Sequence, residues 1–158
     1  MAMPQLKIRR YSESDYNDVR KLHILGLEQF KAYLSGEWDK DLDNIKQVYL
    51  KNGEFIVGEI NNKIVAMGAF KKISYKKAEI KRIRVHPDYQ RNCFGQIILD
   101  ELEKRAEKLG YKILQLDTTN KQIAAQRFFE KNGYTKTKSK RFPEHDLEMI
   151  FYEKKLSD

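Results

Sequence analysis

The stretch Ala78-Glu-Ile-Lys-Arg-Ile-Arg-Val-His-Pro-Asp-Tyr-Gln-Arg-Asn-Cys-Phe-Gly-Gln-Ile-Ile-Leu99 decides how the rest of this chain is read. The run from Ala78 to Val85 is a strand, and Pro87 stops it because proline has no N–H to give to a ladder. Pro87-Asp88 forms a turn, and the loop after it runs straight into a helix from about Gly95 to Leu109. Leu99, Leu102, Ala106 and Leu109 recur near helical spacing as its expected buried stripe, and Gly110 ends it. A loop at a helix start leaves several backbone N–H groups without helical partners, and the helix dipole favours negative charge there. Such a segment is a ready site for a phosphate or pyrophosphate. Gly95 removes a side chain where the backbone must approach a ligand, and Arg91 adds charge beside it. On these residues alone the signal is weak, because strand-loop-helix units are common and one glycine is no fingerprint; the other reading is an ordinary helix start.

Working outward, Leu6 and Ile8 alternate with polar neighbours as a short first strand. Ser12 with Asp15 marks a helix start, followed by Val19, Leu22 and Leu25 near helical spacing. A second helix is expected over Asp41 to Leu50, with Leu42, Ile45 and Tyr49 on one face, and the segment holding Trp38 before it as loop or frayed helix end. Strands Glu54 to Ile60 and Lys63 to Lys72 flank Asn61-Asn62, a hairpin turn. Beyond the quoted stretch, Lys112 to Asp117 is apolar enough for a central strand. Thr119 with Gln122 gives a capping-box pattern for a helix running to about Asn132 and closed by Gly133. Tyr134 to Ser139 and Leu147 to Glu153 read as a final antiparallel pair. The order β-α-α-β-β-β-α-β-α-β-β is mixed α/β, with helices covering a central sheet.

A chain of 158 residues is long enough for one domain with a real core, and its even composition, without repeats or linkers, gives a single domain over residues 1–158. No apolar run approaches the roughly 20 residues that span a bilayer, and Met1 to Arg10 lacks the apolar stretch of a signal peptide, so the cytosol is the expected location. Cys93 is the only cysteine, which excludes an internal disulfide and agrees with a reducing compartment. His23, His86 and His145 are far apart, and no Cys/His or HExxH spacing exists, so no metal is expected. Lysine plus arginine exceed aspartate plus glutamate by 31 − 23 = 8, a balance that attracts acidic partners. The basic residues are scattered apart from Lys71-Lys72, Lys76-Lys77 and Lys136 to Arg141. Nothing resembles a helix-turn-helix, a zinc finger or an RNA-binding aromatic pair, so nucleic acid is not the expected partner.

The quoted stretch resembles motif A of the GNAT superfamily of N-acetyltransferases, in which a strand ending V-x-P is followed by Q/R-x-x-G-x-G/A. Val85, Pro87 and Asp88-Tyr89 match the approach, Gln90 the first motif position and Gly95 the second glycine. Leu116-Asp-Thr-Thr-Asn120 is similar to the family's next strand and loop, and Ala125-Gln-Arg-Phe-Phe-Glu-Lys-Asn-Gly-Tyr134 to its motif B. The resemblance covers about Ile64 to Tyr134; the first 60 residues agree in element order only. It implies a GNAT-like mixed α/β fold with a mostly antiparallel central sheet flanked by helices. It also implies direct transfer of an acetyl group from acetyl-CoA to a primary amine of a small molecule or peptide, without a metal. By the same resemblance, Ile83 and Val85 offer backbone groups to the pantetheine arm, and an N–H near Val85 supports the oxyanion. The amides of Gln90, Arg91, Asn92, Cys93, Phe94, Gly95 and Gln96 hold the pyrophosphate, Asn120 contacts the arm, and Phe129 packs near the thioester. Glu79 is the candidate base, since strict alternation sets Glu79, Ile83 and Val85 on one strand face; its other reading is a partner for Lys81 or a solvated strand residue.

Two residues depart from the family pattern. Cys93 stands where the first glycine is usual, and at a positive φ it would carry a steric cost that glycine does not. A nucleophilic Cys93 is disfavoured because no histidine lies nearby in sequence and the family transfers directly. Phe129 stands where a tyrosine commonly protonates the leaving thiolate; Tyr134 and Tyr152 are the candidates to replace it. These departures leave open a second reading, an acetyl-CoA-binding domain with weak or no catalysis. A homodimer through the C-terminal strands is also open.

Overall fold

Asn61 and Asn62 both adopt positive φ, 49° and 65°, a region that short amide side chains tolerate and tight hairpins require. The turn they make joins β2 (Glu54–Ile60) to β3 (Lys63–Ser74). The computed structural model describes residues 5–29 and 40–156; Trp38 lies outside them. The other strands are β1 (Lys7–Arg10), β4 (Lys77–Val85), β5 (Ile113–Thr119), β6 (Thr135–Phe142) and β7 (Leu147–Lys155). They form one seven-stranded sheet in the order β1-β2-β3-β4-β5-β7-β6. Every pairing is antiparallel except β4 with β5, so the sheet is mixed and mostly antiparallel, as expected.

Helices α1 (Tyr16–Gln29) and α2 (Ile45–Val48) contribute to one apolar cluster, and α3 (Phe94–Lys108) and α4 (Ile123–Lys131) to another on the opposite face. Val19, Leu22 and Ile45 meet Phe55, Val57 and Met67 in the first. Ile98, Leu99, Leu102 and Phe129 meet Phe70, Ile80 and Leu116 in the second. No described helix is long and apolar enough to cross a membrane.

Three local expectations change. Leu109, expected in the α3 stripe, is 56% exposed; it caps the last turn, and the buried stripe instead begins earlier with Phe94 and Ile98. The second helix shrinks to a 3-10 turn at Lys40–Asp43 followed by α2, although Leu42, Ile45 and Tyr49 are all buried. The helix after β5 lacks the Thr119 cap: Gln122 N–H donates to the Thr119 carbonyl, and the Thr118 hydroxyl donates to the Gln122 side chain.

The fourth difference positions the site. Met67 pairs with Arg84 but Ala69 pairs with Lys81, so two steps along β3 answer three along β4. The extra residue is a β-bulge at Arg82, whose φ is 63°. It resets the alternation. Ala78 and Ile80, then Ile83 and Val85, face the α3 cluster, while Glu79 lies opposite Lys71 and beside Gln115 on the other face. Glu79 therefore does not share a face with Ile83 and Val85, because strict period-2 counting fails across one inserted residue.

Candidate active site

β4 and β5 pair only where Lys77, Ala78 and Glu79 meet Ile113, Leu114 and Gln115. Beyond that the two parallel strands part, and no ladder joins residues 80–85 to 116–119. The gap is a slot of about 340 Å³ that passes through the sheet. Its wall on the α3–α4 side is apolar, with Ile83, Val85, Leu116, Phe128 and Phe129. Its wall on the α1 side is charged, with Lys81, Arg82, Arg84 and Asp117. Gln90 and Gly95 stand where the slot reaches the start of α3. An extended chain with its own N–H and C=O groups matches two diverging strand edges, since each edge carries main-chain groups that seek partners.

The loop before α3 folds on itself through side-chain bonds to the backbone. Gln90 Nε2 donates to the Val85 carbonyl at 3.2 Å, and Asn92 Nδ2 to the Tyr89 carbonyl at 3.1 Å. Arg91 and Cys93 both take positive φ, 67° and 63°. Cys93, exposed at the N-cap of α3, thus occupies the conformation that a side chain resists. That conformation costs a non-glycine residue roughly 1–2 kcal/mol. Cys93→Gly should therefore raise the thermal midpoint by about 2–4 °C, the shift that ~1 kcal/mol gives a chain of this size. A midpoint that stays put or falls in a calorimetric scan would show the loop to be relaxed around cysteine.

Gly95 is different. Its φ is not positive, and a Cβ built on it meets only Val85 Cγ2, at an ordinary 3.9 Å. Neither backbone conformation nor the protein's own packing calls for glycine, although glycine weakens a helix relative to alanine by about 1 kcal/mol. The space in front of Gly95 opens to the slot, where a bound chain would run.

Of the residues named from sequence, Ile83, Val85, Gln90, Gly95 and Phe129 line the slot together. Arg91, Asn92, Cys93, Phe94 and Gln96 do not line it; Phe94 is buried against Tyr89, and the Gln96 amide donates to Asp100 and Asn132. Asn120 accepts a bond from Glu148 N–H and ties β5 to β7 instead of lining the slot. Glu79 is also outside the lining. Its carboxylate accepts from Gln115 Nε2 at 2.9 Å, with Lys71 and Lys81 ammonium groups at 3.9 and 3.8 Å. Tyr134 donates to Glu103 at 2.8 Å and Tyr152 to Glu130 at 3.2 Å. Burial, with the charge of that carboxylate, pushes each phenol above its ordinary value. Neither hydroxyl lines the slot, so neither replaces a tyrosine at position 129.

Sequence reading missed the charged wall. At the bulge, Arg82 binds Asp41 with two nitrogens, Nε at 3.0 Å and Nη2 at 2.5 Å, and the Tyr49 hydroxyl donates to the same carboxylate. Both members of the ion pair are little exposed, 10% and 13%. Burial pushes the Asp41 carboxyl up, but the hydrogen bonds and charge of Arg82, with Tyr49, outweigh it and leave the group below its ordinary value. Asp117 behaves oppositely: burial raises its carboxyl above the ordinary value, Lys81 opposes this, and the Glu79 charge adds to it. The irregular spacing of Ile80 and Ile83, with two basic residues between, was the available signal for the bulge.

The chain has a family match and individual likenesses among known proteins. The family model for the acetyltransferase (GNAT) family matches residues 19–134. An amino-acid acetyltransferase of Proteus mirabilis (strain HI4320) is 24% identical over 150 residues, covering 94% of this chain and 31% of that protein. The chain thus spans less than a third of the length of that relative. A GNAT-family acetyltransferase from Staphylococcus aureus MU50 has TM-score 0.87 at 22% identity, with 97% of this chain and 100% of that one covered. A Salmonella typhimurium protein solved with its cofactor acetyl-CoA has TM-score 0.76 at 19% identity, covering 98% and 95%. At these identities the structural likeness concerns the fold.

Proposed function

Because the chain belongs to the acetyltransferase (GNAT) family, we propose that it transfers the acetyl group of acetyl-CoA directly to a primary amine of a small molecule or peptide. The observation that carries this reading is the slot through the sheet, apolar toward α3 and α4 and charged toward α1. Two reactants entering from opposite faces would meet between β4 and β5, and holding them there supplies much of the acceleration.

In this reading the pantetheine arm lies along Ile83 and Val85, and the pyrophosphate meets the amides of residues 90–96. A backbone N–H near Val85 supports the oxyanion, where a preorganised donor is worth most. The acceptor's proton leaves on the charged side of the slot, near which Glu79, the base expected from the sequence, lies outside the lining. The amine nitrogen forms a bond to the thioester carbon, the carbon–sulfur bond breaks, and coenzyme A leaves as the thiol. A free thiol titrates near ~8.5, so the sulfur departs tolerably without a dedicated acid, which fits phenylalanine at position 129. The single cysteine supports work in the reducing cytosol.

The test is thiol release from acetyl-CoA across a panel of amines. Amino acids belong in it because the Proteus mirabilis relative is named an amino-acid acetyltransferase. If acetyl-CoA binds in a calorimeter and no amine releases thiol, the second reading stands: an acetyl-CoA-binding domain with weak or no catalysis. Phe129 and the αL Cys93 are the observations that favour it.

Phe129 gives a further prediction. It is 9% exposed, lies against the Phe128 and Tyr134 rings, and lines the slot. Phe129→Tyr should leave the fold intact and raise turnover, provided expulsion of sulfur limits the rate. An activated thioester serves as control, since with it the gain should vanish. Destabilisation by about 1–3 kcal/mol, the cost of an unsatisfied buried hydroxyl, would mean that the ring's tip faces the core.

A further inference from the structure

Asp117 stands apart from the other carboxylates around the slot. Asp41 is bound by Arg82 and Tyr49, and Glu79 by Gln115 with two lysines nearby. Asp117 lines the slot on its charged side, yet it makes no hydrogen bond or ion pair with any described residue. Its neighbours in β5, Leu116 and Thr118, turn toward the α3–α4 side, and Phe151 of β7 lies across the ladder from it. The charged groups that act on it are Lys81, Glu79 and Arg82 of β4 and Lys71 of β3. A partly buried carboxylate that has no hydrogen-bond or ion-pair partner among the described residues and lines a cleft is suited to an arriving cation.

We propose that Asp117 receives the ammonium of the acceptor and takes its proton, while Glu79 acts on Asp117 through its charge and does not touch the acceptor. This rests on the acetyl-transfer reading above. The acceptor arrives as R–NH3+ and gives one proton to the Asp117 carboxylate, which passes it to water. The neutral amine then forms the N–C bond as the C–S bond breaks. The second nitrogen proton ends on sulfur, so the products are the amide, the thiol and one released proton. Burial, which holds the Asp117 carboxyl above its ordinary value, makes it a better proton acceptor than an exposed carboxylate.

The experiment measures kcat/KM against pH for the intact protein, using the panel amine with the highest value. Asp117→Asn should lower kcat/KM by about 10²–10⁴, the usual worth of a positioned base, and remove the acid limb. Acetyl-CoA affinity should stay within about twofold, well under the tenfold that 1.4 kcal/mol represents. Glu79→Gln should cause a smaller loss and move the acid limb to lower pH, because the charge that raises the Asp117 carboxyl is gone. Asp117→Asn with kcat/KM and acid limb intact, or Glu79→Gln alone erasing the limb, would overturn the assignment. If the wild type turns over no amine at all, the acetyl-transfer reading fails by itself. Asp117 is then judged by carbon NMR of its carboxyl in the presence of acetyl-CoA: it should titrate above an ordinary aspartate, fall in Glu79→Gln, and shift on adding ethylammonium. A carboxyl blind to ethylammonium and to Glu79→Gln overturns the proposal independently.

Discussion

Gly95→Val should weaken acetyl-CoA binding about 10–100-fold, the effect of ~1–3 kcal/mol of steric overpacking, and leave the free protein at least as stable as before. The two halves have different causes. The first added carbon meets only Val85 Cγ2 at 3.9 Å, so the empty protein accepts it. Replacing a helical glycine also removes backbone entropy from the unfolded chain, which stabilises by about 0.4–1 kcal/mol where the conformation is compatible. The valine branches, however, reach into the slot where the first turn of α3 faces β4. Gly95→Ala should fall between, with unchanged or higher thermal midpoint and a smaller loss of affinity. Calorimetric titration with acetyl-CoA, beside a thermal scan of the free protein, reads both halves. Equal affinity in all three proteins would remove this turn from the binding site, whereas a fallen midpoint would mean that the glycine serves packing.

What could be read ahead of the structure depended on how local its cause was. The element order came from periodicity and from turn residues at Asn61-Asn62, Pro87, Gly110 and Gly133, each acting within a few residues. The slot wall at Val85 and Gly95 was legible because strand, loop and helix are contiguous in sequence. The bulge was written in the spacing of Ala78, Ile80, Ile83 and Val85, but uniform alternation passed over the three-residue step and turned Glu79 to the wrong face. The Asp41–Arg82 pair joins residues 41 positions apart, and no pattern of apolar residues encodes which surface carboxylate meets which arginine. Asp117 was quoted within a resembling segment, yet its distinction is the lack of a hydrogen-bond or ion-pair partner among the described residues, which depends on where Lys81 and Glu79 end up after the bulge. The Thr119 capping pattern failed for a related reason: the Gln122 side chain accepts from Thr118, and so it is not available to reach back.

Asp41→Ala should destabilise the protein by about 3 kcal/mol, the lower end of the range for breaking a buried ion pair, which lowers the thermal midpoint by roughly 6–12 °C. It should also reduce turnover more than acetyl-CoA affinity. The reason lies in what Arg82 is. Its backbone is the bulge, at φ 63°, and its side chain is held at both Nε and Nη2 by a carboxylate that Tyr49 fixes from the other side. Removing Asp41 leaves the guanidinium without that bidentate anchor and loosens the strand segment leading to Val85, where the oxyanion donor is proposed. The pH dependence has a definite sign. The Asp41 carboxyl is depressed in the fold, so its contribution is complete above the unfolded value of about 3.9. It is lost as pH falls through the lower folded value. The difference between wild type and variant should therefore be flat from pH 5 to 8 and narrow only in acid. Stability alone does not separate an anchor for the bulge from an ordinary ion pair. Replacing the pair together, Asp41→Leu with Arg82→Met, does, because apolar substitutes for a buried pair often restore stability. Recovery of the midpoint without turnover would mean that the pair sets the bulge for chemistry. Recovery of both would mean that the β3 register alone holds it and that Asp41 serves only the fold.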